Sequence, residues 1–230
     1  MKEFYQKLQR HDQSVPDFDV AVSGFGESYP TRPGVPRKTI KDTSEKAFQR
    51  AIFHAKKIKV HLVNDITIDL CLLDYELPVV LNSKSRRQSV DLISKNNASF
   101  QIHEVKFNRS KDSPYFAASE IIKYRYIVSE NHTLLDESDV HHHGHEFMHF
   151  NWKDLNNNCQ MYIVANKDYW GYWRNRMSKT AFSEYFELIA IIGITCLSGE
   201  NVNFTTQKDN SADGLYTPHL LCKEFRTISM

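Results

Sequence analysis

Ser89-Val90-Asp91-Leu92-Ile93-Ser94, a polar break at Lys95-Asn96-Asn97, and then Phe100-Gln101-Ile102-His103-Glu104-Val105-Lys106-Phe107 form the stretch that decides the fold. Two runs of strand length flank a turn-forming pair of asparagines, so the pattern predicts two strands joined by a tight polar connection. Side chains alternate across a strand, which puts Phe100, Ile102, Glu104 and Lys106 on one face. That face begins apolar and ends charged, as a buried strand running out to an open edge would. Asp91 shares a face with Ser89 and Ile93. The two strands therefore bring two carboxylates and a lysine to one sheet edge.

Working outward, Asp42 is a candidate N-cap for a helix from Ser44 to Lys56, with Glu45 three residues later as a capping box requires. Phe48, Ile52 and Ala55 lie on one stripe of that helix, and Glu45 lies on it too. Ile58–Val63, Ile66–Leu73 and Leu77–Leu81 read as strands, with Asn64-Asp65 as a turn. A helix is predicted over Phe116–Ser129, with Ala117, Glu120, Ile121, Tyr124, Ile127 and Val128 on a single stripe. Residues 131–158 read as a polar, His-rich loop. Cys159–Ala165 and Tyr169–Trp173 read as strands, Thr180–Ile192 as a helix and Asn201–Thr206 as a last strand. The alternation of helices and strands predicts an α/β fold, a mixed β-sheet flanked by helices.

Residues 1–41 differ from the rest, with four of the seven prolines and three of the eight glycines. They read as an irregular N-terminal arm ending in Arg37, Lys38 and Lys41. The domain then spans 42–206, and 207–230 form a polar tail. The net charge of +1 shows no overall basic field, so contacts with a polyanion would have to come from local clusters. Cys71, Cys159, Cys196 and Cys222 have no CxxC spacing, which predicts reduced thiols. The first residues lack the apolar stretch of a signal peptide, and the longest apolar run, Leu188–Leu197, is too short to span a bilayer. These features predict a cytoplasmic protein without a membrane partner.

Asp91, Glu104 and the Val105 backbone carbonyl suit Mg²⁺, which takes few protein ligands and keeps several waters. Such an ion neutralises a phosphodiester and lowers the pKa of bound water. Lys106 is placed to orient that water and to stabilise developing charge. Glu120 is a carboxylate on an apolar helical stripe, one turn before Tyr124, and needs a partner such as Lys123 or Lys106.

With Asp91 on one strand, Glu104-Val105-Lys106 on the next and an acidic residue on the helix before them, the chain from Asp42 to Thr206 resembles the PD-(D/E)XK nuclease superfamily. The resemblance implies a restriction-endonuclease-like fold. It makes Asp91 and Glu104 metal ligands and Lys106 the catalytic lysine. Glu45 falls where an auxiliary acidic residue often lies, and Glu120 with Tyr124 resembles the Gln-x-x-x-Tyr motif of some branches. Val90 stands where the motif has proline, and Glu120 where it has glutamine. The activity implied is Mg²⁺-dependent DNA cleavage, with Mn²⁺ as a substitute ion, leaving a 5′-phosphate and a 3′-hydroxyl. A restriction or other defence enzyme, acting as a homodimer, would suit a chain of this size. The alternative is a non-catalytic DNA-binding or assembly subunit of the same fold.

Arg109 and Lys111 just past Lys106, and Lys84, Arg86 and Arg87 before the Asp91 strand, are candidate phosphate contacts. Tyr169–Arg176 mixes aromatics with arginines, either as a stacking surface for unpaired bases or as core packing. His141, His142, His143, His145 and His149 crowd one segment. His145-Glu146-Phe147-Met148-His149 reads H-E-x-x-H, so a zinc hydrolase is a remote further alternative. It lacks a clear third ligand and a helical setting, and a polar loop is the simpler reading.

Overall fold

The structure is a computed structural model that describes residues 1–22, 44–80, 88–137, 150–199, 204–208, 216–220 and 222–228. Its elements in order are α1 (Lys2–His11), α2 (Phe18–Val22), α3 (Glu45–His54), β1 (Lys57–His61), β2 (Thr67–Val80), β3 (Gln88–Lys95), β4 (Phe100–Lys106), α4 (Pro114–Glu137) and α5 (Trp152–Asn157). There follow β5 (Cys159–Asn166), α6 (Lys167–Arg176), α7 (Lys179–Ile192), β6 (Ile194–Gly199), β7 (Phe204–Lys208), β8 (Tyr216–Leu220) and β9 (Glu224–Thr227). The fold is mixed α/β.

Strands β1 to β4 form an antiparallel meander. The chain then crosses over through α4 and returns as β5, parallel to β4, and β6 follows parallel to β5. Parallel neighbours need such crossovers, since a hairpin cannot join them. β9 lies between β6 and β1, antiparallel to the first and parallel to the second, so the sheet closes into a barrel. This closure was not expected from the sequence. β7 and β8 make a separate two-stranded sheet.

Two cores follow from the alternation of side chains. Ile93, Ile102, Ile163 and Ala165 pack against Ile121, Ile122 and Ile127 of α4, with Tyr5, Leu8 and Phe18 of α1 and α2 on the far side. Leu92, Val105 and Val164, pointing the other way, pack with Phe48, Ile52 and Phe53 of α3 and with Phe225 of β9.

Several elements depart from expectation. The helix before the meander is capped by Ser44, whose hydroxyl accepts from the Ala47 N–H, and Asp42 lies outside the described residues. The two strands expected at 66–73 and 77–81 are one strand, β2, whose register shifts between Leu72 and Asp74 and between Pro78 and Val80. Bulges of this kind let one strand bend without breaking. α4 runs on to Glu137 because Leu135 is buried and Asp136 accepts from the Trp152 and Lys153 N–H groups. Residues 131–137 and 152–157, expected as loop, are thus helical. Tyr169–Trp173 is helix α6 and not a strand: Asn166 caps it by accepting from the Tyr169 N–H, and Tyr169 and Trp170 turn into the core. The stretch expected as an irregular arm carries α1 and α2, and the expected tail carries β8 and β9. β6 was hidden inside the apolar run 188–197, where Gly193, at φ +81°, ends α7.

Among the described residues no helix is long and apolar enough to cross a membrane. All four cysteines are free.

Candidate functional site

The β3–β4 ladder runs from Lys95 opposite Phe100 to Leu92 opposite His103. One step further sets Asp91 opposite Glu104, on the face that looks at α4. Here side chains replace backbone partners. Val105 N–H donates to Asp91 Oδ2 at 2.8 Å, and the Asp91 carbonyl accepts from Gln49 Nε2 at 2.5 Å. Phe107 N–H donates to the Glu45 carboxylate. Two carboxylates and an amide thus satisfy the backbone groups freed where β4 leaves its neighbour. A residue's N–H and C=O leave a strand on the same side, so the Val105 carbonyl also points toward β3.

Lys106 is the hub. Its Nζ lies 2.9 Å from Glu104 Oε1, 3.1 Å from Asp112 Oδ2 and 3.1 Å from Glu120 Oε2. Lys106 and Glu104 are each only 3% exposed. Burial opposes the lysine's charge, yet Glu104, Glu120, Glu45 and Asp91 together hold its pKa well above the ordinary value. Lys106 is therefore an ammonium. Lys123, one helical position short of a turn past Glu120, places its Nζ 3.8 Å from Glu120 Oε1 and over the Tyr124 ring at 4.4 Å.

Negative charge is in excess at this point. Burial, then the charges of Asp91 and Glu120, push the Glu104 carboxyl well up. As a carboxylate, its Oε2 would be buried without a donor. As an acid it donates to Glu120, which Lys106 and Lys123 hold below the usual range although burial acts the other way. Asp91 is pushed up to about 7 by burial, with Lys106 and the Val105 N–H pulling against it. Glu45 is raised by burial despite Lys106 nearby. Buried acids raised in this way beside a fixed cation are the kind of perturbed set that gathers at functional sites.

A cleft of about 350 Å³ opens at the site, lined by Glu45, Lys46, Gln49, Glu76, Ser89, Asp91 and Tyr124. Glu76 is paired with Lys46 and Arg50 at 3.6 Å each. The structure thus brings Asp91, Glu104, Lys106, Glu120, Tyr124 and Glu45 together. Arg109 and Lys111 are exposed beyond the end of β4. Lys84, Arg86, Arg87 and the whole histidine run His141–His149 lie outside the described residues, as do Arg37, Lys38 and Lys41. Glu45 serves β4 through the Phe107 N–H.

Comparison with protein-family models, curated proteins and solved structures returns no match.

Gln49, Glu76 and Asp112 belong to the site and were not singled out from the sequence. Gln49 was findable, since it lies four residues after Glu45 and so on the same side of α3. Asp112 sits in the same turn as Arg109 and Lys111, where its charge blends into a mixed run. Glu76 lies between the two register shifts of β2, at a φ of +46° that nothing in the sequence announces.

Among the described residues no group of three or more His, Cys, Asp or Glu side chains is arranged to hold an ion. Asp91, Glu104 and the Val105 carbonyl would offer a cation oxygen donors only, the kind Mg²⁺ takes, since it is bound through one or two carboxylates and its own waters.

Proposed function

We propose that the protein is a Mg²⁺-dependent deoxyribonuclease of the PD-(D/E)XK kind, hydrolysing phosphodiester bonds at the end of β4. The observation that carries this reading is the convergence of Asp91, Glu104 and Lys106 on one face of the sheet, with Glu120 and Glu45 around them. The order α3–β1–β2–β3–β4–α4–α5–β5, a helix before a meander and a helical crossover after it, supports this reading, and the closure of the sheet by β9 is no part of it.

Asp91, Glu104 and the Val105 carbonyl would hold the ion, which when bound neutralises the phosphate and acidifies water. Lys106, kept as an ammonium, faces the negative charge that grows on the phosphoryl oxygens as water attacks. Glu120 holds that ammonium in place. Attack by water on phosphorus with departure of the 3′-oxygen leaves a 5′-phosphate and a 3′-hydroxyl. A cytoplasmic defence enzyme, such as a restriction nuclease working as a homodimer, is the setting we favour.

The second reading is a non-catalytic DNA-binding or assembly subunit. What favours it is Lys106 itself, whose three short carboxylate contacts occupy the amine. Cleavage of plasmid and single-stranded DNA with Mg²⁺ or Mn²⁺ separates the two. Lys106→Ala is expected to lower the rate by about 10²–10⁴-fold with DNA binding kept. Failure of the parent protein to cut any DNA substrate would overturn the nuclease reading and leave the binding subunit.

A further inference from the structure

Beyond Lys106 the chain makes the turn Phe107-Asn108-Arg109, with Asn108 at φ +52°, a conformation asparagine tolerates better than most residues. A reciprocal amide pair locks this turn to α6. Asn108 N–H donates to Asn166 Oδ1 and Asn166 Nδ2 donates to Asn108 Oδ1, both at 2.8 Å. The same Asn166 caps α6. Arg109 is thereby fixed beside the start of that helix.

Two adjoining clefts open there, of about 700 and 850 Å³, sharing Lys167, Gly171 and Asn175. Among the described residues, the charged ones that line them are Arg109, Lys167, Arg174, Arg176, Lys179 and Arg226 with one carboxylate, Asp168. Cations outnumber anions on this lining, whereas the whole chain carries +1. All seven are exposed. They come from the β4–α4 turn, α6, α7 and β9, so no single helix face accounts for them.

The positions of two lysines point outward. Lys167 and Lys179 are the first residues of α6 and α7. The helix dipole favours an acid at that end and disfavours a cation. A helix N-terminus that carries a lysine suits an anion. Tyr172, stacked under Arg176 at 5.2 Å, adds an aromatic wall to the first cleft.

We propose that this shelf binds the phosphate backbone of duplex DNA, separately from the hydrolytic centre, and leads the duplex past Arg109 to Lys106. The choice of DNA as the polyanion rests on the function proposed above. The shelf supplies affinity without sequence reading, since phosphate contacts position a duplex and carry no base information.

The test is the salt dependence of binding of a short labelled duplex to the full chain, measured by fluorescence anisotropy with EDTA present so that nothing is cut. Replacing Arg174, Arg176 and Lys179 together by alanine is expected to flatten the plot of log K against log salt by about 3, and to weaken binding about tenfold or more at physiological salt. Arg174→Lys with Arg176→Lys is expected to keep the parental slope. Lys179→Glu gives the second arm. The change favours the helix dipole of α7, so melting temperature is expected to hold or rise while affinity falls. A merely structural role would move the two together. Unchanged affinity and slope in folded Lys179→Glu protein overturn the proposal. A parent protein that binds through these residues but cuts nothing with Mg²⁺ sinks the nuclease reading and leaves the shelf standing. A parent that cuts while the shelf variants bind as it does sinks the shelf alone.

Discussion

At the scale of residues, the site is a problem of too many buried acids for one lysine. The pKa of Asp91, ordinarily 3.8, stands at about 7 in the fold. Between those values the folded state binds more protons than the unfolded state, so stability falls as pH rises through that window. The protein without added metal is expected to melt at a lower temperature at pH 8 than at pH 5, and Asp91→Asn to remove part of that fall. Mg²⁺ at pH 8 is expected to raise the melting temperature of the parent, by about 2.7 kcal/mol of stabilisation at a hundred times its dissociation constant, and to leave Asp91→Asn unmoved. Scanning calorimetry at the two pH values reads both effects. An equal Mg²⁺ shift in parent and variant would remove Asp91 from the ligand set. These residues were legible beforehand because strand alternation fixes which side chains share a face, and Asp91, Glu104 and Lys106 needed only that rule and one hairpin. Their protonation was not legible. It depends on how deeply Glu104 is buried and on Asp112 and Glu120, which reach Lys106 from six and fourteen residues away.

At the scale of elements, α4 ties the site to the N-terminal helices. Ser113, at its start, donates its hydroxyl to Asp12 and accepts from the Phe116 N–H. His11 stacks on Tyr115, and Phe18 meets Tyr126 edge-on. Leu8 of α1 is fully buried in the same core as Ile121 and Ile127. Leu8→Ala is expected to cost about 2–5 kcal/mol, as cavities in packed cores do. Urea unfolding should report it, with faster amide exchange along α4. A loss below ~0.5 kcal/mol, the range of surface positions, would mean that α1 is an appendage after all. The sequence concealed this role because Tyr5 and Leu8 are few, and proline and glycine just beyond them suggested an irregular arm. Helix α6 was hidden differently. Its aromatics are β-formers by composition, and only the cap at Asn166 and the spacing of Tyr169, Trp170 and Trp173 betray a helix. The long α4, by contrast, was half legible: its apolar stripe was plain up to Val128, and its last two turns rest on one buried leucine and on Asp136 capping α5.

At the scale of the whole molecule, the barrel depends on its shortest strand. β9 spans four residues with one apolar side chain, Phe225, fully buried against α3 and β1. Little in Glu224-Phe225-Arg226-Thr227 marks a strand, because its partners lie far off in the chain and its backbone bonds do the work. Lys59 N–H donates to the Lys223 carbonyl at 2.9 Å, Thr227 Oγ1 to the His61 carbonyl at 3.0 Å and Ile228 N–H to the Cys196 carbonyl at 3.0 Å. Without β9, β1 and β6 become open edges, and open edges pair with other chains. Phe225→Ala is expected to cost about 3–5 kcal/mol, which lowers the melting temperature by roughly 2–4 °C per kcal/mol for a chain of this size. Amide exchange should quicken at Lys59 and at β6 first. β3 and β4 are separated from β9 by β1 and β2 on one side and by β5 and β6 on the other. Below its melting temperature the variant should therefore keep the pairing of Asp91 with the Val105 N–H, and with it the DNA cleavage proposed for the parent. If exchange at Lys59 stays slow in Phe225→Ala, the barrel is held by something other than this strand. If cleavage is lost while the fold persists, closure reaches across the sheet to the site.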